Sequence, residues 1–296
     1  METAETTKRL AETWTDFVSL RWKGIDRPKS NLGKIALENF VRSHSLPHLE
    51  VIRVFAQSDD VDFEGLPDYF VFKPAALWSG IGVRLLHRIA GLNSYFDAKN
   101  GLVITEREVK EAAASLERQR GRKLDFIVEQ RAIDEDLDKT IPLDYKVFTF
   151  YGVVKFILQV DRNYSPAQMA LFDGNFDPIF DARAQINPDR PKTHGEHRRP
   201  VCWRGILELA AQVTLKLEAP FISVDCFATP EGPMLGELTH TPGGPWYQGM
   251  YSFSPEFDRA LGAAWRDALD RLGLPDVYVS VPYQIEKNGK VLRTVD

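Results

Sequence analysis

The sequence predicts an α+β fold, and three observations carry the prediction. Apolar residues recur at helical spacing over 4–22, 32–45, 106–120 and 203–219. Short apolar or alternating runs at 66–74, 82–87, 101–105, 124–133 and 143–162 read as strands. The stretch "FISVDCFATPEGPMLGELTHTPGG" (221–244) reads as a hairpin around a Pro-Gly-containing turn. With 296 residues, 44% hydrophobic and 27% charged, the chain can bury a large core and is long enough for two domains. Its 42 acids against 37 bases give a formal charge of −5, which argues against a general attraction to nucleic acid or an anionic membrane. The amino-terminal stretch has no uninterrupted apolar run of the kind a signal peptide or membrane span needs. Cys202 and Cys226 are too few for a disulfide scaffold and read as small buried hydrophobes, so a cytoplasmic setting is expected.

Taken in order, the two amino-terminal helices lead into a mixed stretch, 46–55, that ends in a strand. "LPDYFVFKP" (66–74) is a short apolar strand closed by Pro74. Two more strands, at 82–87 and 101–105, precede a helix whose start is marked by Thr105 as cap and Glu108 three residues on. After a break at Gly121, "LDFIVEQRAI" (124–133) reads as a buried strand and 143–162 as a hairpin turning at Tyr151-Gly152. The Pro-, Asp- and Arg-rich stretch 161–200 reads as a long loop. The helix over 203–219 carries Ile206, Leu209, Ala210, Val213 and Leu217 on one stripe, and Pro220 ends it.

A hairpin turn centred on Glu231 sets Asp225 opposite Glu237, with Thr239 on the same face. Facing like charges destabilise a sheet by up to ~1 kcal/mol unless a cation lies between them. Two readings stand open: a divalent cation held by hard oxygen ligands, or a salt bridge to a nearby Lys or Arg. Lys73, at a strand end before the Gly80 and Gly82 turn, is open in the same way. It either meets phosphate oxygens beside exposed backbone N–H groups, or snorkels next to an ordinary turn.

The succession "FVFKP…SGIGV", "FIVEQ", "DYKVFTF" and "VDCF…GELTHTPGG" resembles the ATP-grasp superfamily, most closely its TupA-like (teichuronopeptide biosynthesis) branch, over residues 66–250. The resemblance implies two α+β lobes holding ATP between antiparallel sheets. It divides the chain into a short helical amino-terminal part at 1–65, a small lobe with a phosphate flap at 66–130, and a large lobe with a metal-binding hairpin at 131–296. It implies ATP-phosphate contacts for Lys73 and Lys146, with Asp144 orienting the latter, and a flap that includes Ser79, Gly80 and Gly82. Glu129, Gln130, Arg131 and Ala132 match the adenine hinge, and one of Asp134, Glu135 and Asp136 would meet the ribose. Asp225 and Glu237 match the Mg2+ ligands, with Thr239 standing where the wider superfamily has asparagine. Arg84 and His240, beside Lys73 and Lys146, complete the catalytic candidates, although His240 lies outside the superfamily pattern. The flap is poor in Gly and Ser for the superfamily, and Trp78 is an unusual decoration in it.

The activity so implied is an ATP- and Mg-dependent carboxylate–amine ligase that forms an amide through an acylphosphate, in cell-surface polymer, peptide or natural-product synthesis. Its partners would be small-molecule, peptide or glycan acids and amines, with no nucleic acid and no membrane insertion. A kinase phosphorylating a hydroxyl and a non-catalytic nucleotide-binding module stay open beside it. Arg198, Arg199 and Arg204, with His194 and His197, either dock an anionic substrate group or balance neighbouring acids. "HGEH" lacks the further ligands a zinc site needs.

Overall fold

A computed structural model describes residues 7–25, 33–77, 80–187, 194–243, 251–281, 284–287 and 290–294. The chain runs β1 (Thr7–Leu10), α1 (Trp14–Trp22), α2 (Lys34–Ser43), β2 (Val51–Phe55), β3 (Tyr69–Pro74), β4 (Arg84–Arg88), β5 (Tyr95–Asp97), β6 (Leu102–Ile104) and α3 (Glu106–Arg120). It continues with β7 (Phe126–Gln130), β8 (Asp144–Phe150), β9 (Val153–Asp161), β10 (Gln168–Asp173), β11 (Ala184–Ile186), α4 (Trp203–Lys216), β12 (Ile222–Thr229), β13 (Gly232–Thr239), β14 (Tyr251–Phe253), α5 (Pro255–Arg271) and β15 (Tyr278–Val281). The α+β expectation is met. Among the described residues, no helix is long and apolar enough to cross a membrane.

Two antiparallel sheets carry the architecture. One has strand order β2-β7-β3-β4-β5-β6 and the other β10-β9-β8-β12-β13. The first packs Phe70, Phe72, Leu86 and Phe126 under Val109 and Ala113 of α3. That helix starts as its sequence indicates: Thr105 N–H donates to Glu108 Oε2 (2.7 Å), Glu108 N–H donates to Thr105 Oγ1 (3.3 Å), and Gly121 closes the other end at φ +64°. The second sheet is covered on both faces. α4 lays Ile206, Leu209, Ala210 and Val213 against Val147, Val224 and Cys226. α1 and α5 cover the opposite face with Trp14, Phe17 and Trp265 against Phe148, Phe150 and Phe221.

That second contact is a stack of rings. Phe17 and Phe221 lie against Trp265 with centroids 4.8 and 4.5 Å away, and the Arg21 guanidinium sits 4.3 Å from the Trp265 centroid. Such pairs contribute about 0.5–1.5 kcal/mol each beyond area burial. Phe221 leads directly into β12, so this stack fixes where the acid-bearing hairpin begins.

Several sequence expectations are corrected. Residues 7–10 are not helical: β1 pairs with β15, and the helix starts only at Trp14, where Thr13 and Asp16 form a capping box. The 161–200 stretch is not one long loop, because β10 pairs with β9 and β11 with β14. α4 ends at Lys216, short of Pro220, and Glu218 follows at φ +49°. The hairpin turn at Tyr151-Gly152 is where expected: Phe150 pairs with Val153, and both turn residues have positive φ (+38° and +87°), the tight geometry that suits right-twisted strands.

Gly262 of α5 shows how closely α5 approaches the α1 cap. A Cβ there would come within 2.7 Å of the carbonyl carbons of Glu12 and Thr13. Alanine gains about 1 kcal/mol of helix propensity, but the overpacking outweighs it. Gly262→Ala is therefore expected to lower unfolding free energy by about 1–3 kcal/mol in chemical denaturation, and an unchanged midpoint would contradict this packing.

Candidate active site

β8, β12 and β13 lie side by side, and their register sets Lys146 beside Asp225 and Asp225 beside Glu237. Alternation puts Asp144, Lys146, Ser223, Asp225, Glu237 and Thr239 on one face, the face whose far end holds the aromatic stack. The acids are opposed as the sequence indicates, by a different route. The turn is the two-residue Pro230-Glu231, which alone would align Asp225 with Gly236. A bulge between the Cys226–Leu235 and Asp225–Glu237 pairs takes up Gly236 and brings Glu237 into place. Only a glycine fits there, because a Cβ would press into the Phe227 ring, 3.1 Å from its Cδ2.

Each acid is met by a lysine. Lys146 Nζ donates to Asp225 and lies 3.0 Å from Asp144 Oδ2, which also accepts from Arg162 Nη1 at 2.8 Å. Ser223 Oγ donates to Asp225 Oδ1 at 3.2 Å. Glu237 accepts from Lys34 Nζ, at the start of α2, at 3.1 Å. Two buried acids thus share Lys146, and the outcome differs between them. Burial pushes Asp144 up, but Lys146 and Arg162 outweigh it and hold Asp144 below the usual carboxylate range. Burial, with Asp144 and Glu237, outweighs Lys146 at Asp225 and raises it to about 7. Burial works against the charge on Lys146, yet the attraction of Asp144 and Asp225 prevails and raises its pKa.

In the other sheet, Lys73 Nζ donates to Glu129, whose strand β7 lies beside β3. Gly80 and Gly82 follow, both at φ +70°, and a Cβ on Gly82 would come 2.9 Å from Pro74 Cγ. The structure does not group Arg84 with Lys73. Arg84 pairs across the ladder with Phe72, so it leaves the opposite face of the sheet, and Nη1 donates to buried Asp97 Oδ2 at 2.9 Å. Trp78 and Ser79 lie outside the described residues.

At the hinge, Gln130 N–H donates to the Glu50 carbonyl (2.8 Å), Arg131 Nη2 donates to the Thr140 carbonyl (2.9 Å), and Ala132 is buried. The three acids that follow already have protein partners. Asp134 accepts from the N–H groups of Leu143 and Asp136, Glu135 accepts from Val201 N–H, and Asp136 pairs with Arg198. The basic cluster likewise finds acids, Arg198 also meeting Glu196 (3.1 Å) and Arg199 meeting Asp177 (3.5 Å). The carbonyl of His240, half-buried, accepts from Arg21 Nη1 (3.2 Å), which also donates to the Phe221 carbonyl (2.9 Å). Arg21 thereby clasps the two strands of the acid hairpin at their open end.

Lys34 and Arg162 are the site residues that sequence reasoning missed. Arg162 is signalled by the charge ending the apolar run "FILQVDR", whereas Lys34 meets Glu237 from 203 positions away in sequence and has no local signal. A water-sized cavity of about 10 Å³ lined by Lys34, Glu38, His48, Glu129, Leu235 and Gly236 lies between the two sheets. It runs from the partner of Lys73 to the partner of Glu237. Among the described residues no cluster of three His, Cys, Asp or Glu forms a ready metal cage. Two carboxylates and a hydroxyl on one hairpin face nonetheless suit magnesium, which keeps waters and takes phosphate oxygens.

No curated protein matches the chain. Among solved structures, the ATP-grasp ligase PsnB complexed with minimal precursor is 12% identical over 84% of this chain and 68% of its own, with a TM-score of 0.46. D-alanine–D-alanine ligase from Bacillus anthracis is 14% identical over 88% and 74%, at 0.47. VanG D-Ala:D-Ser ligase from Enterococcus faecalis is 15% identical over 81% and 60%, also at 0.47. The TupA-like ATP-grasp family model matches residues 28–266, and the chain belongs to that family.

Proposed function

We propose that this ATP-grasp protein is a ligase that joins a carboxylate to an amine with conversion of ATP to ADP and phosphate. The observation that carries the reading is the Lys146–Asp225–Glu237 row on adjacent strands, with Lys34, the partner of Glu237, and Glu129, the partner of Lys73 in the other sheet, lining one water-sized gap. We place the small lobe at 66–130, with β2 added to its sheet, and the large lobe at 131–296.

Lys73 and Lys146 bind the phosphates of ATP, next to the glycine turn. Asp225 and Glu237, with Thr239, would hold magnesium, which when bound neutralises phosphate oxygens and the charge developing on the transferred group. Lys146 and Lys34 neutralise the acids until nucleotide arrives, so that the site need not unfold to tolerate them. A substrate carboxylate oxygen attacks the terminal phosphorus and the bond to ADP breaks, leaving an acylphosphate. The amine then attacks the acyl carbon, loses a proton, and expels phosphate. Both sheets exclude water from that intermediate. The acid and amine belong to small molecules, peptides or glycans.

Incubation with ATP, magnesium and pooled acids and amines is expected to yield ADP, phosphate and an amide by mass spectrometry. AMP with pyrophosphate would overturn the scheme, and a phosphorylated hydroxyl would replace it with a kinase. Asp225→Asn, Glu237→Gln and Lys73→Ala are each expected to reduce turnover by about 100-fold or more; normal turnover in all three would remove the assignment.

The raised pKa of Asp225 sets a second expectation. Its value rises from about 4 in the unfolded chain to about 7 in the fold, so between these values the native state binds the extra proton. Its contribution to stability is complete below about pH 4 and is lost as pH rises through about 7. Nucleotide-free protein is expected to lose denaturant stability across that interval, and Asp225→Asn to flatten the slope. Equal slopes for the two proteins would show that Asp225 is ionised throughout.

A further inference from the structure

The turn between β5 and β6 presses Lys99 against the glycine turn after β3. Lys99 Nζ donates to the carbonyl oxygens of Gly80 (2.6 Å) and Val83 (3.3 Å). Lys99 N–H donates to Asp97 Oδ1 at 3.2 Å. The Asp97 carboxylate is already engaged by Arg84 Nη1 (2.9 Å), Asn100 Nδ2 (2.6 Å) and Leu85 N–H (3.4 Å). Lys73, Lys146 and Lys34 each rest on a carboxylate. Lys99 differs: among the described residues no carboxylate oxygen lies within 4.0 Å of its Nζ, and two carbonyls use two of its three N–H donors.

Charges of both signs act on it. Burial lowers its pKa most, Asp97 opposes that, and Arg162 and Arg84 add to the lowering. Arg162 comes from the end of β9 in the other sheet and is bound to Asp144, the acid that shares Lys146 with Asp225. Lys99 and Arg84 of one sheet therefore lie within electrostatic reach of Arg162 of the other, whose partner Asp144 belongs to the candidate site. Like charges that repel in a half-buried place are relieved by an anion between them, and beside the candidate phosphate-binding lysines that anion is the terminal phosphoryl group of a bound nucleotide.

We propose that Lys99 recognises the terminal phosphoryl group of ATP, holding the Gly80–Val83 turn against it and so distinguishing triphosphate from diphosphate. This rests on the nucleotide reading above. A role confined to holding the turn would affect ATP and ADP alike.

The test is calorimetric binding of AMPPNP and of ADP, each with magnesium, to the wild-type chain and to Lys99→Met, Lys99→Gln and Lys99→Arg. Gln keeps a donor for the Gly80 carbonyl and removes the charge, so it separates charge from loop support. The expected result is an about tenfold loss of AMPPNP affinity in Lys99→Met and Lys99→Gln, the scale of one charge-assisted hydrogen bond. ADP affinity changes less than about twofold, and Lys99→Arg keeps most of the preference. Equal weakening of both nucleotides, or no change in either, overturns the proposal while leaving nucleotide binding intact. Wild-type protein that binds neither nucleotide overturns the nucleotide reading and this proposal with it. Thermal melting of each variant without nucleotide identifies any that fails to fold; for a misfolded Met variant, the Gln and Arg variants decide.

Discussion

The site depends on one arrangement of charge: Lys146 shared between Asp144 and Asp225 on neighbouring central strands. Two carboxylates in a sheet interior are costly to bury, and one lysine does not neutralise both. Arg162 supplies the difference at Asp144, and Lys34 does so at Glu237. Every other feature of the site serves this row. The aromatic stack fixes the start of β12, the Gly236 bulge sets the partner of Asp225, and Arg21 ties the ends of the hairpin together.

Under the proposed function, the same arrangement lets the opposed acids stand together before nucleotide binds. The opposed acids raise the question of which cation separates them, and in this structure the cations are side chains of the chain itself. Lysines that lie on carboxylates are also positioned to turn to phosphates, because both partners present anionic oxygens at similar distances. Under the proposed function, the metal-ion and salt-bridge readings of the hairpin become successive states of one set of charges.

How much of this was legible follows from where the signals lie. The Thr105 cap, the Tyr151-Gly152 turn and the alternation around Asp225 and Glu237 are settled by residues within a few positions, and local chemistry was enough to find them. β1 and β11 were not legible, because three or four unremarkable residues become strands only when β15 and β14 arrive from far along the chain. α5, outside the predicted elements, carries local signals all the same, Ser254 as cap with Pro255 after it and a stripe of Leu261, Trp265 and Leu269. Arg84, one of the catalytic candidates, is sent by one position of strand alternation to Asp97 on the other face.

The clasp made by Arg21 has a consequence for how the molecule comes into being. Its guanidinium joins α1 to both strands of the acid hairpin and rests on Trp265, so Asp225 and Glu237 are braced by segments from either side of them in the chain. A chain emerging from the ribosome holds Asp225 and Glu237 before Trp265 appears. Until α5 closes over the stack, the newborn protein carries these acids on a hairpin whose base is still loose.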